Sequence, residues 1–134
     1  MDKDIEEVIN LLPSGQVGEK NGIKIVQVGG STEFGYQYVM DIRGRTNFSQ
    51  LAYVIQNSQL HFGPDSVGIH LASAFDKPLV GLYSCSPSTI SGPCFGTVER
   101  QVVFDAYKNV KNGKPSYAAE ENPKSINTIK PEEI

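Results

Sequence analysis

The sequence LHFGPDSVGIHLASAFDKPLVGLY, residues 60–83, is the deciding stretch for the fold class. Residues 59–63 are predicted to form a short strand, and residues 65–75 a helix with apolar residues at helical spacing. The apolar residues expected on one face of this helix are Val67, Leu71 and Ala74. Residues 79–83 are almost continuously apolar, as is typical of a strand buried on both faces. This order predicts two parallel strands joined by a crossover helix.

The same alternation continues on both sides of this stretch. Further elements are predicted as a helix over 5–12, strands over 23–28 and 38–42, a helix over 47–58, an edge strand over 101–104 and a helix start over 128–134, with Pro131 at its first position. Alternating strands and helices predict one α/β domain over 1–134, with a mainly parallel sheet covered on both faces. Residues 105–134 are expected to be an extended or partly helical tail.

Composition narrows the class of protein. A chain of 134 residues is long enough for one compact domain, and 39% hydrophobic with 20% charged residues is ordinary globular composition. The formal net charge is −3, so the chain does not have the excess of basic residues expected of a nucleic-acid binder. No apolar run approaches the roughly 20 residues that a membrane span needs. The acidic amino terminus does not resemble a secretory signal, so we expect a cytoplasmic protein.

The two cysteines, Cys85 and Cys94, lie nine residues apart in a stretch rich in Ser, Pro and Gly. We expect reduced thiols, with a disulfide that closes this loop as the alternative. Two cysteines do not make a zinc site alone, and His61 and His70 are the chain's only histidines. We therefore expect no metal, and we expect His61 to be an ordinary, partly buried strand residue.

The turn between the strand and the helix of the deciding stretch is the strongest candidate for a site. Ligands of parallel sheets bind beyond the carboxyl ends of the strands, and the unpaired N–H groups of a helix start favour an anion. Gly68 leaves one side of the helix start open, Ser66 offers a hydroxyl, and His70 lies about one turn further. This predicts a diphosphate or sugar-diphosphate site. The alternative is a helix capped by Asp65 or Ser66, with a buried histidine.

A serine hydrolase is a weaker alternative for the same residues. Residues 64–68 partly match the nucleophile elbow G-x-S-x-G, but Pro64 stands where the strained turn needs glycine. No histidine follows His70, and His70 is only four residues from Ser66 on the same predicted helix. It therefore cannot approach Ser66 as a separately oriented base.

Three segments together resemble a known family. Residues 41–55, DIRGRTNFSQLAYVI, carry a Gly-x-Thr helix start, and residues 62–83 carry Asp-Ser, a nearby Gly and His, and Pro before an apolar strand ending in Tyr. Residues 127–134, NTIKPEEI, look like an Ile-x-Pro-Glu-x-Val ending. This pattern is similar to the carboxy-terminal, donor-binding half of glycosyltransferase family 9, the heptosyltransferases of lipopolysaccharide assembly. The likeness covers about 23–134 and is specific over 41–83.

The resemblance implies a Rossmann-like domain equivalent to one half of a GT-B glycosyltransferase. It implies transfer of a sugar from a nucleotide sugar such as ADP-heptose to a glycan or lipopolysaccharide acceptor, without a metal or another cofactor. The residues it implies for the donor sugar and diphosphate are Asp65, Ser66, Val67, Gly68 and His70. Those it implies for the nucleotide are Met40, Gly44, Thr46 and Glu33. Val67 stands where the family has glycine, and Ser84 and Cys85 replace its usual Gly-Pro.

No residue of the chain is assigned as catalytic. A carboxylate at a helix start is stabilised as the anion, which makes Asp65 a weak base. The resemblance implies that the acceptor-binding half of the family supplies the catalytic carboxylate, and we expect this half to be missing from the chain. We expect the isolated chain to be inactive without a separate acceptor-binding domain or chain. The alternative is a non-catalytic nucleotide-sugar binding module, or a remnant of a split transferase. We also expect self-association through an exposed sheet edge, and a location in the cytoplasm or at the inner membrane face.

Overall fold

The computed structural model of the protein describes residues 22–106 and 128–134. Its strands are β1 (Val26–Gln27), β2 (Met40–Asp41), β3 (His61–Pro64), β4 (Leu79–Tyr83) and β5 (Gln101–Asp105). Its helices are α1 (Phe48–Gln56), α2 (Val67–Ala74) and α3 (Ser88–Ser91), with 3₁₀ turns at Val98–Arg100 and Pro131–Glu133. The helix predicted over 5–12 lies outside the described residues, as does most of the predicted tail.

The chain divides into two compact units, whose boundary in α1 falls between Leu51 and Ala52. The described part of the first unit comprises residues 22–51 and 130–134, and that of the second comprises residues 52–106 and 128–129. Each unit is described by itself below. That residues 1–134 form a single domain stays a prediction.

The second unit contains a three-stranded sheet in the order β3-β4-β5, and both pairings are parallel. The strand predicted over 79–83 has the predicted bounds, and β5 is an edge strand of the described sheet. The buried apolar side chains are Ile55, Ile69, Ala72, Leu79, Leu82, Tyr83, Cys85, Ala106 and Ile129. All of them belong to this unit. The prediction of an α/β fold with parallel strands is confirmed.

The buried face of α2 differs from the predicted one. Its buried residues are Gly68, Ile69, Ala72 and Ser73, whereas Val67 and Ala74 are exposed. Ser73 is buried because its hydroxyl is satisfied: it donates to the carbonyl of Phe95 at 2.6 Å and accepts the Phe95 N–H at 2.8 Å. A polar residue with both hydrogen bonds made can face inward at little cost. Apolar spacing alone therefore predicted the wrong side of the helix.

The segment over 84–96, predicted as a loop, contains the single-turn helix α3. Its end is fixed against the carboxyl end of α2, because the Thr97 N–H donates to Asp76 Oδ1 at 2.7 Å. This hydrogen bond lowers the pKa of Asp76. Gly96 has φ +76°, and a Cβ there would lie 2.7 Å from the Ser73 carbonyl oxygen, so only glycine fits.

The first unit contains β1 and β2, a parallel pair that is shorter than predicted. No described residue of this unit is buried. Polar contacts hold its turns instead: the Gln27 side chain donates to the Phe34 carbonyl at 2.6 Å and accepts the Tyr36 N–H at 3.0 Å. The helix start predicted over 128–134 is a single 3₁₀ turn with Pro131 at its first position.

Candidate functional site

The turn from β3 into α2 forms a helix start without a side-chain cap. Ser66 occupies the cap position with extended backbone (φ −161°, ψ 171°), yet its side chain caps none of the helix amides. No cap contact from Asp65 is found either; its Oδ2 instead accepts the Ser91 hydroxyl. The capped-helix alternative is therefore not what the structure shows. The first-turn amides of α2 therefore have no side-chain cap, and an uncapped helix start is the kind of group that favours an anion.

Gly68 permits a close approach of the His61 ring to the start of α2. A Cβ on Gly68 would lie 2.7 Å from both Cε1 and Nε2 of His61, so the imidazole occupies the space of the missing side chain. Within residues 22–106 and 128–134, the buried Nε2 of His61 has no hydrogen-bond partner. Burial lowers the pKa of His61, which keeps the ring neutral near pH 7. His61 is a partly buried strand residue, as the sequence suggested, and its ring fills the space beside Gly68.

Three polar side chains stand at the carboxyl ends of three neighbouring strands. Tyr83 ends β4 and pairs in register with Asp105 of β5, and Asp65 follows directly after β3. The Tyr83 ring is fully buried over Gly81, where a Cβ would lie 2.8 Å from Tyr83 Cε2. Burial first, and then the negative charges of Asp65 and Asp105, raise the pKa of Tyr83 to about 12. The hydroxyl therefore stays protonated, and no other described residue accepts its proton.

The helix α3 reaches both carboxylates of this row. The N–H and the hydroxyl of Ser88 donate to Asp105 Oδ2, both at 2.8 Å. The hydroxyl of Ser91 donates to Asp65 Oδ2 at 2.8 Å. Sequence reasoning missed Ser88 and Ser91, which lie 17 and 26 residues from their partners along the chain. Their only signal was the density of hydroxyl residues after β4.

The other residues predicted for the sugar and diphosphate lie on α2. Val67 is 48% exposed at the first helical position, and the half-buried His70 lies one turn further. Together with Asp65, Ser66 and Gly68, they are brought to one end of one helix. That these residues bind a donor stays a prediction.

The residues predicted for the nucleotide lie in the first unit, around the ends of β1 and β2. Glu33 Oε1 accepts the Gly30 N–H at 2.9 Å, and the Gly44 N–H donates to the Gly29 carbonyl at 2.8 Å. Gly44 has φ +66°, and a Cβ there would lie 2.7 Å from the Ser31 Cβ. Met40 is 53% exposed and Thr46 is half-buried. Their binding role likewise stays a prediction.

Other classes of site find little support in the part of the chain that the structure describes. Cys85 is buried and Cys94 exposed, and the two form no disulfide. Among the described residues, no three or more His, Cys, Asp or Glu side chains are grouped so that they could hold a metal ion. No described helix combines the length and the apolar character needed to cross a membrane.

Comparison with known proteins identifies the family of the chain. The sequence profile described as "Glycosyltransferase family 9 (heptosyltransferase)" matches residues 20–118. The chain belongs to glycosyltransferase family 9, which confirms the resemblance found in the sequence. No curated protein matches the chain.

A solved structure shows the same fold. The crystal structure of the glycosyl transferase family 9 from Veillonella parvula DSM 2008 superposes with a TM-score of 0.67 at 19% sequence identity. The match covers 98% of this chain and 38% of that chain. The fold is therefore that of part of a family 9 glycosyltransferase, as expected for a Rossmann-like half.

Proposed function

We propose that the chain binds the nucleotide-diphosphate sugar donor of a heptosyltransferase-like reaction. The observation that carries the proposal is the uncapped start of α2 beyond β3, in a chain that belongs to glycosyltransferase family 9. Phosphate is the ligand class for which a helix start at the carboxyl edge of a parallel sheet is suited. ADP-heptose is the donor we test first.

The diphosphate lies, in this proposal, against the first-turn amides of α2. Departure of a nucleoside diphosphate leaves negative charge on its terminal phosphate, and fixed N–H dipoles stabilise that charge without reorganising. The Ser66 hydroxyl is not engaged in capping and adds a donor.

The sugar contacts Asp65 and His70 in this proposal. An exposed carboxylate accepts hydrogen bonds from sugar hydroxyls, and His70 offers a donor one turn further along α2. The nucleotide is assigned to the first unit. There Met40 offers exposed apolar surface to a base, and the second oxygen of Glu33 can accept a ribose hydroxyl.

The transfer step itself requires more than these residues. An inverting transfer needs a base to take the acceptor hydroxyl proton, and no residue of this chain is assigned to that role. The chain spans 38% of the length of the solved family 9 chain. We therefore propose that an acceptor-binding domain, in the same or another chain, supplies the base and the glycan or lipopolysaccharide acceptor. We place the reaction in the cytoplasm or at the inner membrane face, without a metal.

Calorimetric titration of the full chain with ADP-heptose tests the proposal. We expect Asp65→Ala and His70→Ala each to weaken binding about tenfold, the effect of losing one hydrogen bond to a charged or polar group. Glu99→Ala is the matched control, because it removes an exposed acidic residue elsewhere in the second unit and should leave binding unchanged. Absence of binding to the unmodified chain, or binding that both site variants leave intact, contradicts the proposal.

Incubation of the isolated chain with ADP-heptose separates the transferase from a non-catalytic binding module. Both hypotheses, a transferase donor half and a non-catalytic module, predict that the chain binds ADP-heptose. If an added acceptor-binding domain restores transfer, the chain is a donor half; if the isolated chain hydrolyses or transfers the sugar, the need for a partner is disproved.

A further inference from the structure

The hydroxyl of Ser91 holds one oxygen of the Asp65 carboxylate. The Ser91 Oγ lies 2.8 Å from Asp65 Oδ2, 3.2 Å from Ser86 Oγ and 3.5 Å from the Pro87 carbonyl oxygen. A serine hydroxyl has a single proton, and the short contact with a charged acceptor is the strongest of the three. Ser91 therefore donates to Asp65, and the Ser86 hydroxyl can donate to Ser91.

Ser91 is itself held in place by a contact between the other end of α3 and the neighbouring edge strand β5. At the other end of α3, Ser88 makes two hydrogen bonds of 2.8 Å to Asp105 Oδ2 at the end of β5. The turn is closed by the Gly92 N–H, which donates to the Ser88 carbonyl at 2.8 Å. A Cβ on Gly92 would lie only 2.2 Å from that carbonyl oxygen, so the turn closes this tightly because residue 92 is glycine. The position of Ser91 is therefore fixed relative to β5.

We propose that Ser91 is a positioning residue that orients Asp65 toward the donor sugar. Ser91 occupies Oδ2 and thereby selects one side-chain conformation of an otherwise exposed aspartate, which leaves Oδ1 to accept a sugar hydroxyl. This inference rests on the proposed function, because it assigns the free oxygen to the sugar of a nucleotide-diphosphate sugar. Ser91 acts through Asp65 and does not itself touch the ligand.

The geometry predicts a selective effect on the sugar. Without Ser91, Asp65 must lose its rotational freedom when the ligand binds, and ordering one such side chain weakens binding by about threefold to tenfold. In this proposal the binding of the diphosphate and of the nucleotide does not depend on the orientation of Asp65. Loss of Ser91 should therefore weaken the binding of ADP-heptose and leave the binding of ADP unchanged. A general structural defect would weaken the binding of both ligands.

The first test measures binding of ADP-heptose and of ADP to variants of the full chain. Ser91→Ala should weaken ADP-heptose about threefold to tenfold and leave ADP unchanged, and Ser91→Thr, which keeps the hydroxyl, should restore binding. Thr89→Ala removes an exposed hydroxyl from the same turn and should change neither affinity. Equal weakening of both ligands, no weakening of either, or a Ser91→Thr variant that behaves like Ser91→Ala overturns the proposal.

The second test needs no ligand, and it separates this proposal from the proposed function. The Hα–Hβ scalar couplings of Asp65, measured by NMR, should report one conformer in the unmodified chain and averaging among conformers in Ser91→Ala. Averaged couplings in the unmodified chain overturn the positioning role even if ADP-heptose binds. Fixed couplings together with no binding of ADP or ADP-heptose disprove the proposed function, and with it the sugar as the target of Asp65.

Discussion

The described parts of the two compact units each contain parallel strands but differ in the interactions that hold them. In the second unit, Ile69, Leu79 and Tyr83 are almost completely buried between α2 and the sheet. In the described part of the first unit no residue is buried, and hydrogen bonds among exposed groups fix the turns. Burial of apolar surface is the larger of the two contributions. We therefore expect the second unit to be locally the more stable.

The difference matters for the proposed site. The residues assigned to the sugar and diphosphate begin a helix whose inner face is packed, so their positions are set before any ligand arrives. The residues assigned to the nucleotide lie in or next to a parallel pair of strands of only two residues each. The first group supplies a preformed cradle, and the second supplies a surface that can adjust to its ligand.

The largest expected effect is loss of packing in the second unit. Ile69→Ala removes a side chain with 0% exposure and should lower the free energy of unfolding by about 2–5 kcal/mol. Ile90→Ala is the matched control, because Ile90 is 71% exposed and its truncation should cost little. Chemical denaturation followed by circular dichroism and tyrosine fluorescence measures both. Equal effects of the two variants would contradict the packed interior.

The contact between Gly68 and His61 gives the next largest effect. Gly68→Ala places a Cβ 2.7 Å from the buried imidazole and should destabilise the second unit by about 1–3 kcal/mol. Gly63→Ala adds the same methyl group beside the same ring, but at 3.6 Å, which is ordinary contact. Its effect should be small. The double variant His61→Ala/Gly68→Ala should recover part of the loss, and denaturation curves that show additive effects would argue against a direct clash.

The deciding stretch shows where sequence reasoning succeeds and where it stops. The strand over 79–83 was predictable, because a continuous apolar run after Pro78 has few other interpretations. The inward face of α2 was not, because Ser73 is buried through hydrogen bonds to Phe95, 22 residues away. The helix start of the candidate site was predicted at the right turn. The bond between Ser91 and Asp65 depends on the folded path of the chain after β4, and no local pattern encodes it.

Tyr83 places a polar atom inside the packed second unit, where it should lower the free energy of unfolding. Its hydroxyl is buried and finds no partner among the residues that the structure describes. Tyr83→Phe should therefore raise the free energy of unfolding by about 1 kcal/mol. The pKa of Tyr83, raised to about 12, adds a pH signature. The unfolded chain releases this proton near pH 10 and the folded chain near 12, so stability falls as pH rises between them.

The Tyr83→Phe variant has no Tyr83 proton to release, so it should lose less stability than the unmodified chain as the pH rises. The measurement is the denaturation midpoint between pH 8 and about 11, compared for the two proteins. A destabilised variant would show that the hydroxyl has a partner in the folded protein, and parallel pH profiles would show that folding does not raise its pKa.

The smallest expected effect belongs to the exposed ion pair of the first unit. Arg43 donates to both carboxylate oxygens of Asp41, at 2.9 Å from Nε and 2.7 Å from Nη2, and its guanidinium also donates to the Glu33 carbonyl. These hydrogen bonds lower the pKa of Asp41 from 3.8 to about 2. The carboxylate therefore contributes stability that is complete above pH 3.8 and is lost as the pH falls through about 2. Because the pair is exposed, solvent and salt screen it, and the contribution is small.

Amide hydrogen exchange at pH 5 and pH 2.5, corrected for intrinsic rates, measures this loss for each unit separately. Protection around β1 and β2 should decrease at the lower pH, and Asp41→Asn should remove most of that dependence. Molar salt at pH 5 should weaken the same protection while leaving α2 and β4 protected, because their stability comes from apolar burial. If acid and salt opened both units equally, the first unit would be held by the same packing as the second. The residues assigned to the nucleotide would then be as rigid as those assigned to the diphosphate, and an adjustable nucleotide surface would be ruled out.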